Sequence, residues 1–259
     1  MRNSTKTQLE DMNITYEQTY KKLKEIRKDK SQRPDELSPG LLANIAEYTV
    51  YHMIWNSLDT GIIPEDWKTA NITPIHKGGS KHQTSSYRPI SLTSLICKIM
   101  EALLRDEIVR HLENNRLIHE SQHGMNILAF LDKVTDVVDK GSVDVVFLDL
   151  AKAFDKVPHK RMLIKLKDHR SWYRWTGKVL QWIENWLKGR KQRAHVKALA
   201  SNWLPVTSGV PQGSGLGSVL FLIYVNNMNS DLHSWIIKFA DDTKIFNGVK
   251  DESDCAMLQ

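Results

Sequence analysis

Three aspartates constrain this chain more than any other feature. Asp149 stands in Phe147-Leu-Asp-Leu-Ala-Lys-Ala-Phe154-Asp155, and Asp241 and Asp242 stand in Phe239-Ala-Asp-Asp-Thr-Lys-Ile-Phe246. Each group ends a short apolar run, Val143 to Leu150 or Trp235 to Phe239, that reads as a buried strand. The first run is nearly continuous and β-branched, which predicts a central strand covered on both faces. The second, with Thr243 to Phe246, predicts a hairpin carrying Asp241 and Asp242 at its tip. Carboxylates gathered at strand ends cannot all stay ionised without a counter-charge. A pair of divalent cations supplies it, and that is the arrangement two-metal phosphoryl transfer needs. Singly, each motif has a plain structural alternative: Asp-Asp suits a turn, and an aspartate ending a strand can cap the next helix.

The charge balance bears on the partner. Lys and Arg number 36 against 30 Asp and Glu, a formal net charge of +6, which favours a polyanion. Part of this charge follows the first aspartate directly, in Lys152, Lys156, Lys160, Arg161, Lys165, Lys167 and Arg170. Beside a candidate metal site the run reads as a track for a nucleic-acid backbone rather than as a solvated helix face. The two cysteines, Cys97 and Cys255, form no disulfide framework and no zinc spacing, which points to a reducing intracellular compartment. The polar N-terminus is not a signal peptide, and the longest apolar run, Val219 to Val225, is far too short to cross a bilayer.

The pattern elsewhere is of long helices with a few strands. Residues 1–36 are polar and charged and read as an exposed helix or a poorly ordered arm. Ser38 and Pro39 open a helix that Gly61 closes. Trp67 to Ile75 reads as a strand, and His76 to Lys81 as a turn. Ser91 to Leu117 and Phe130 to Val138 have helical spacing, as do His159 to His169 and Gly177 to Leu187. Gln192 to Lys197 alternates as a strand, and the glycine-rich loop Gly213 to Gly217 opens onto an apolar helix. The tryptophans at 172, 175, 182, 186 and 203 read as packing. The resulting class is α+β, a small sheet carrying the acids with helices packed on it.

Between the two aspartate groups lies Ser208-Gly-Val-Pro-Gln-Gly-Ser214. Three unusual segments in this order, Phe147 to His159, Ser208 to Ser214 and Phe239 to Thr243, resemble the reverse transcriptase domain of non-LTR, LINE-type retrotransposons of the jockey-like kind. Trp67-Lys68, Ile72-Thr-Pro-Ile-His-Lys77, Tyr87-Arg-Pro-Ile-Ser-Leu92 and Trp182-Ile-Glu-Asn-Trp-Leu187 support the resemblance. It implies a fingers-palm fold with a small antiparallel palm sheet, and an RNA-directed DNA polymerase that adds deoxynucleotides to a primer 3′-hydroxyl. It implies that Asp149, Asp241 and Asp242 are the catalytic acids and hold Mg²⁺, with Mn²⁺ as the alternative ion, and that Asp242 is the less direct ligand. It implies that Lys77 and Arg88 hold the triphosphate, that Phe154 closes the sugar pocket against a ribose 2′-hydroxyl, and that Gln212 and Gly213 contact nucleotide and template. Phe154 also reads simply as a core aromatic, and Asp155 as a cap. The implied partners are an RNA template, a DNA primer and deoxynucleoside triphosphates, with no membrane; protein partners, and nucleus as against cytoplasm, stay open.

The implied domains are a charged arm (1–37), a helical lead-in (38–66), a fingers region (67–142) and a palm region (143–259), the last two forming the reverse transcriptase domain. The chain departs from the pattern in three places. The basic stretch expected after Gln122-His-Gly124 is missing, Gly215 and Ser218 replace an apolar residue and a proline, and the sequence stops soon after Phe246, before a thumb. These departures keep a second expectation in play, a catalytically inactive, truncated retroelement remnant that at most binds nucleic acid. A metal-dependent nuclease is the third reading; it needs neither the Pro-Gln-Gly loop nor the paired aspartates of the hairpin.

Overall fold

The computed structural model describes residues 9, 12–26, 47–118, 134, 135, 138, 142–150, 152–167, 175–197, 199–228, 234–239 and 241–249. The chain is a mixed helix-and-sheet protein of two compact units. One takes Met1–Leu117 and Asp155–Leu220, the other Ile118–Phe154 and Phe221–Gln259.

The first unit is built on helices. Helix α1 (Tyr16–Lys24) starts at a reciprocal cap, in which Gln18 N donates to Thr15 Oγ1 at 3.3 Å and Thr15 N donates to Gln18 Oε1 at 3.0 Å. It buries Thr19 and Leu23 and packs against α2 (Glu47–Thr60) and α3 (Leu95–Asn114), with Leu9 and Ile14 buried just before it. Lys22 pairs with Asp106 of α3 at 2.8 Å. The helix expected in residues 1–36 is therefore present, but it is docked rather than an exposed arm, because Thr19 and Leu23, four residues apart, share one face among the charges. Gly61, at φ +70°, ends α2 as its spacing predicts; the proposed start at Ser38 and Pro39 lies outside the described residues.

Helices α4 (His159–Lys167) and α5 (Gly177–Leu187) complete the helical core. Trp67, Trp175, Trp182 and Trp186 are fully buried. The packing reading thus holds for Trp175, Trp182 and Trp186 but not for Trp203, which is 38% exposed, and Trp172 lies outside the described residues. Trp182 Nε1 donates to Ser57 Oγ at 3.0 Å, and that hydroxyl donates to Ile62 O at 2.8 Å, so the indole ties α5 to the end of α2.

A mixed sheet flanks this core, in the order β2 (Tyr87–Thr93), β1 (Thr69–His76), β4 (Lys191–Val196), β5 (Leu199–Ala200), with β6 (Leu204–Pro205) also on β4. Strands β1 and β2 are antiparallel, and β1 and β4 parallel. Strand β2 corrects the expectation of a helix from Ser91: Ser91 to Thr93 are strand, and α3 begins only after the Ser94 cap, whose Oγ accepts from Cys97 N. Two prolines, Pro74 and Pro89, face each other in this pair. They are tolerated because β2 is an edge strand, and because β4 pairs with β1 only as far as Ile72 and never reaches Pro74.

The second unit holds an antiparallel sheet in the order β3 (Ser142–Asp149), β8 (Asp242–Val249), β7 (Trp235–Phe239). The expectation that the first apolar run is a central strand buried on both faces is corrected here. Strand β3 lies at the sheet edge and none of its residues is buried; Phe147 is 68% exposed. The hairpin closes β7 onto β8, which leaves β8 in the middle, where Thr243 and Phe246 are buried. A run of β-branched residues marks a strand, but its position in a sheet depends on partners far along the chain. The helix expected over Phe130 to Val138 falls almost wholly outside the described residues.

Candidate active site

The aspartates come together through strand register. Asp149, the last residue of β3, is the direct cross-strand partner of Asp242, the first residue of β8. Directly opposite residues carry their side chains on one face with Cβ atoms about 4.5–5.5 Å apart, where like charges repel. Both carboxylates are exposed, and no Lys, Arg or His among the described residues lies within ion-pair distance of either. Asp241 occupies the turn between β7 and β8. Asp242 is thus a ladder residue, opposite both Asp149 and Phe239, rather than part of the tip.

Two carboxylates held side by side present oxygen ligands of the kind a hard divalent cation takes. Among the described residues there is no group of three or more His, Cys, Asp and Glu side chains close enough to hold a metal. The structure therefore brings Asp149 and Asp242 together and does not gather Asp241 into a three-carboxylate cluster with them. Lys244, two residues along β8 from Asp242 and so on the same face, lies opposite Phe147 with its ammonium 5.5 Å from the Phe147 ring centroid.

Lys238 was missed by sequence reasoning. It sits within the apolar run Trp235-Ile-Ile-Lys-Phe239 and is only 1% exposed. Its ammonium donates to Val225 O at 3.1 Å and Asn226 O at 3.0 Å, the carbonyl end of α6 (Gly215–Val225). Burial pulls its pKa down to about 8. The lysine thus fastens the aspartate hairpin to a helix end. A lone cation inside an apolar strand was the available signal. Phe154, in the same unit, is half-buried and stacks on Phe221 with centroids 4.3 Å apart and rings inclined by 21°.

In the first unit, the end of one motif is laced to the start of another. Gly209 N donates to Val157 O at 2.8 Å, His159 Nε2 donates to Gly209 O at 2.7 Å, and Ser208 Oγ donates to Asp155 O at 2.9 Å. Gly209 has φ +87°, and a Cβ there would stand 2.7 Å from the Asp155 backbone. This close approach is why a glycine must follow Ser208.

The Pro211-Gln-Gly-Ser214 loop is anchored from two sides. Ser91 N of β2 donates to Gln212 O at 2.9 Å, and Gly213, at φ +94°, lies against Ile90. Ser214 is 3% exposed; its hydroxyl donates to Glu101 Oε2 at 2.7 Å and accepts from Gly217 N at 3.0 Å, capping α6. Glu101, 1% exposed on α3, also accepts from Cys97 Sγ at 3.4 Å. Burial, reinforced by the Glu101 charge, raises the Cys97 thiol well above its ordinary range, so it stays a protonated donor. The buried Arg190 lies within electrostatic reach of Glu101 and stacks 4.7 Å from the Trp186 ring centroid. Glu101 escaped the sequence reading because a glutamate in an amphipathic helix ordinarily faces water.

Lys77 and Arg88 are exposed cations with no carboxylate partner among the described residues. Lys77 follows β1 directly, its N–H donating to Ser86 O, and Arg88 lies opposite Ile75. Arg88 shares a face of β2 with Ile90, and therefore with Gly213. Lys77, Arg88, Gln212 and Gly213 all belong to the first unit, and Asp149, Asp241, Asp242 and Phe154 to the second. Of the basic run after Asp149, Lys167 is already paired with Glu184, and Arg170 lies outside the described residues.

An antiparallel sheet ending in two opposed carboxylates, with no ion-pair partner among the described residues, offers oxygen ligands to a hard cation. Residues 75–258 match the family described as reverse transcriptase (RNA-dependent DNA polymerase). The chain belongs to that family, as a reverse transcriptase domain of the non-LTR, LINE type. It is 29% identical over 217 residues to the RNA-directed DNA polymerase from mobile element jockey of Drosophila melanogaster, covering 76% of this chain and 23% of that protein. It is 30% identical over 208 residues to the probable RNA-directed DNA polymerase from transposon X-element of the same organism, covering 74% of this chain and 22% of that protein. The chain thus spans about a quarter of the length of these relatives. Among solved structures, a chain of a partial Cas6-RT-Cas1–Cas2 complex aligns over 93% of this chain and 38% of its own length, with a TM-score of 0.48 and 17% identity. No helix among the described residues is long and apolar enough to cross a membrane.

Proposed function

We propose that this chain carries the nucleotidyl-transfer centre of an RNA-directed DNA polymerase, with residues 67–142 acting as fingers and 143–259 as palm. The observation that supports this most directly is the cross-strand pair Asp149–Asp242, two like charges with no Lys, Arg or His within ion-pair distance among the described residues. Asp149 and Asp242, joined by Asp241 from the adjoining turn, would hold Mg²⁺ or Mn²⁺, which when bound would acidify the primer 3′-hydroxyl and neutralise triphosphate charge. Lys77 and Arg88 donate to triphosphate oxygens, the arginine through a fixed fork and the lysine as a mobile point charge. Phe154, braced by Phe221, excludes a ribose 2′-hydroxyl. Gly213 lets the loop backbone approach the nucleotide, and Gln212 contacts it. The substrates are deoxynucleoside triphosphates, an RNA template and a DNA primer.

Binding of Mn²⁺, followed by loss of the free-ion paramagnetic signal, tests the acids without requiring turnover. Wild-type chain should sequester the ion, and Asp149→Asn and Asp242→Asn should each weaken binding by about tenfold or more, roughly 1.4 kcal/mol. Variants that bind as tightly as wild type would remove these carboxylates from the metal site.

A further inference from the structure

Strand β4 presents three basic residues on one face, and a fourth follows it. Lys191, Arg193 and His195 alternate along β4, and alternate residues of a strand share a face; Lys197 stands just past the strand, in the turn, at φ +54°. None of the four has a carboxylate within ion-pair distance among the described residues. Lys191 and Lys197 are exposed, and Arg193 and His195 half-buried. The arginine is held in place: its Nε donates to Asn71 Oδ1 at 2.8 Å, and its guanidinium lies 4.4 Å from the Trp203 ring centroid. Trp203 remains 38% exposed.

We propose that this face of β4, with Trp203, binds single-stranded RNA as the incoming template. At about 6.7 Å between alternate residues, Lys191, Arg193 and His195 extend over ~13 Å, with Lys197 just beyond. A stacked strand carries one charge per ~3.4 Å of its length, so the stripe matches about four nucleotides. Oriented cations along a line with a partly open aromatic ring form the elements that bind single strands, the cations following the phosphates and the ring stacking on a base. An intact duplex hides its bases from such a ring. Arg88 lies on this same sheet face. Asn71, the neighbour of Arg193, is opposite Leu92 in β2, and Arg88 is four residues along from Leu92. The choice of RNA rests on the proposed polymerase activity, in which the uncopied template is single-stranded RNA. The opposite face of the hairpin carries the exposed apolar Val196 and Leu199, so a protein partner is the main rival occupant.

The test is fluorescence anisotropy with a 12-nucleotide RNA, the matching single-stranded DNA and the matching duplex. It is run without nucleotides over a range of salt concentrations, on the full chain carrying Asp149→Asn. Lys191→Gln with Lys197→Gln should lower the slope of log affinity against log salt by about 1.4, since each cation on a single strand releases ~0.7 counterion. Trp203→Ala should weaken RNA binding by roughly 5- to 150-fold. Both variants should melt within about 2 °C of their parent, a shift below 1 kcal/mol for a chain of this size. RNA binding unchanged in both variants would overturn the proposal, as would losses seen only with the duplex or only with DNA. Because no turnover is needed, an inactive polymerase with these RNA effects intact would leave the track standing, and an active one whose variants bind RNA normally would remove the track alone.

Discussion

Replacing Ser214 by alanine should destabilise the first unit far more than the loss of one hydroxyl from a loop ordinarily does. The hydroxyl is buried between Glu101 and the first turn of α6 and bonds to both. Removing it takes a charge-assisted donor from a carboxylate that has no water to replace it, at about 1.5–3 kcal/mol. It also uncaps Gly217 N, at about 1 kcal/mol. Together these give about 3 kcal/mol, or a melting temperature lower by roughly 6–12 °C for a domain of this size. Ser208→Ala is the control, since its hydroxyl makes one neutral, exposed bond to Asp155 O and should cost about 1 kcal/mol or less. Urea and thermal unfolding of the two variants give the comparison. If Ser214→Ala unfolded within about 0.5 kcal/mol of wild type, a value usual for surface substitutions, the buried Glu101–Ser214 bond could not be what fixes the Pro-Gln-Gly loop.

Other outcomes follow from the same geometry. Gly209→Ala should cost about 3 kcal/mol or more, measured by urea unfolding, because it combines a positive φ with a Cβ inside contact distance of the Asp155 backbone. Lys238 has a folded pKa of about 8 against an ordinary 10.5. The unfolded chain therefore holds more protons between these values, so stability should rise with pH across about 8 to 10.5 and fall back as pH drops through 8. Lys238→Met should flatten that rise, and an unchanged pH dependence would show that other groups cause it. Phe154→Val should raise incorporation of ribonucleotides relative to deoxynucleotides in single-nucleotide addition; unchanged sugar selectivity would leave Phe154 only its stacking role on Phe221.

The parts of this molecule that could be read from its sequence are those fixed by local rules. Helix α5, the turn at Gly78 and Gly79, the Gly61 helix stop and the β7–β8 hairpin all follow from spacing and glycine placement. Sheet membership is set by distant partners, and there the sequence was weaker. It did not tell that β3 lies at an edge, that β2 precedes α3, or that β1 pairs in parallel with a strand some 120 residues away. Burial of polar groups was also hidden. Glu101, Arg190 and Lys238 look like surface residues until their partners Ser214, Trp186 and the α6 carbonyls are in view. The candidate site divides in the same way. Asp149, Asp241 and Asp242 stood out as types and positions, yet only the register reveals that Asp242, taken as the less direct ligand, is the residue facing Asp149.

The central claim is chemical, and primer extension tests it most directly. The purified chain is given a poly(rA)–oligo(dT) substrate, Mg²⁺ and labelled dTTP, beside a variant carrying Asp241→Asn and Asp242→Asn. The account predicts extension by the wild-type chain and a drop of about a thousandfold or more in the variant, as expected when several kcal/mol of transition-state stabilisation is lost. Equal extension by both would contradict the assignment of the acids. No extension by the wild-type chain, with salt-sensitive binding to the same substrate retained, would instead identify a remnant that keeps its nucleic-acid surface without its chemistry.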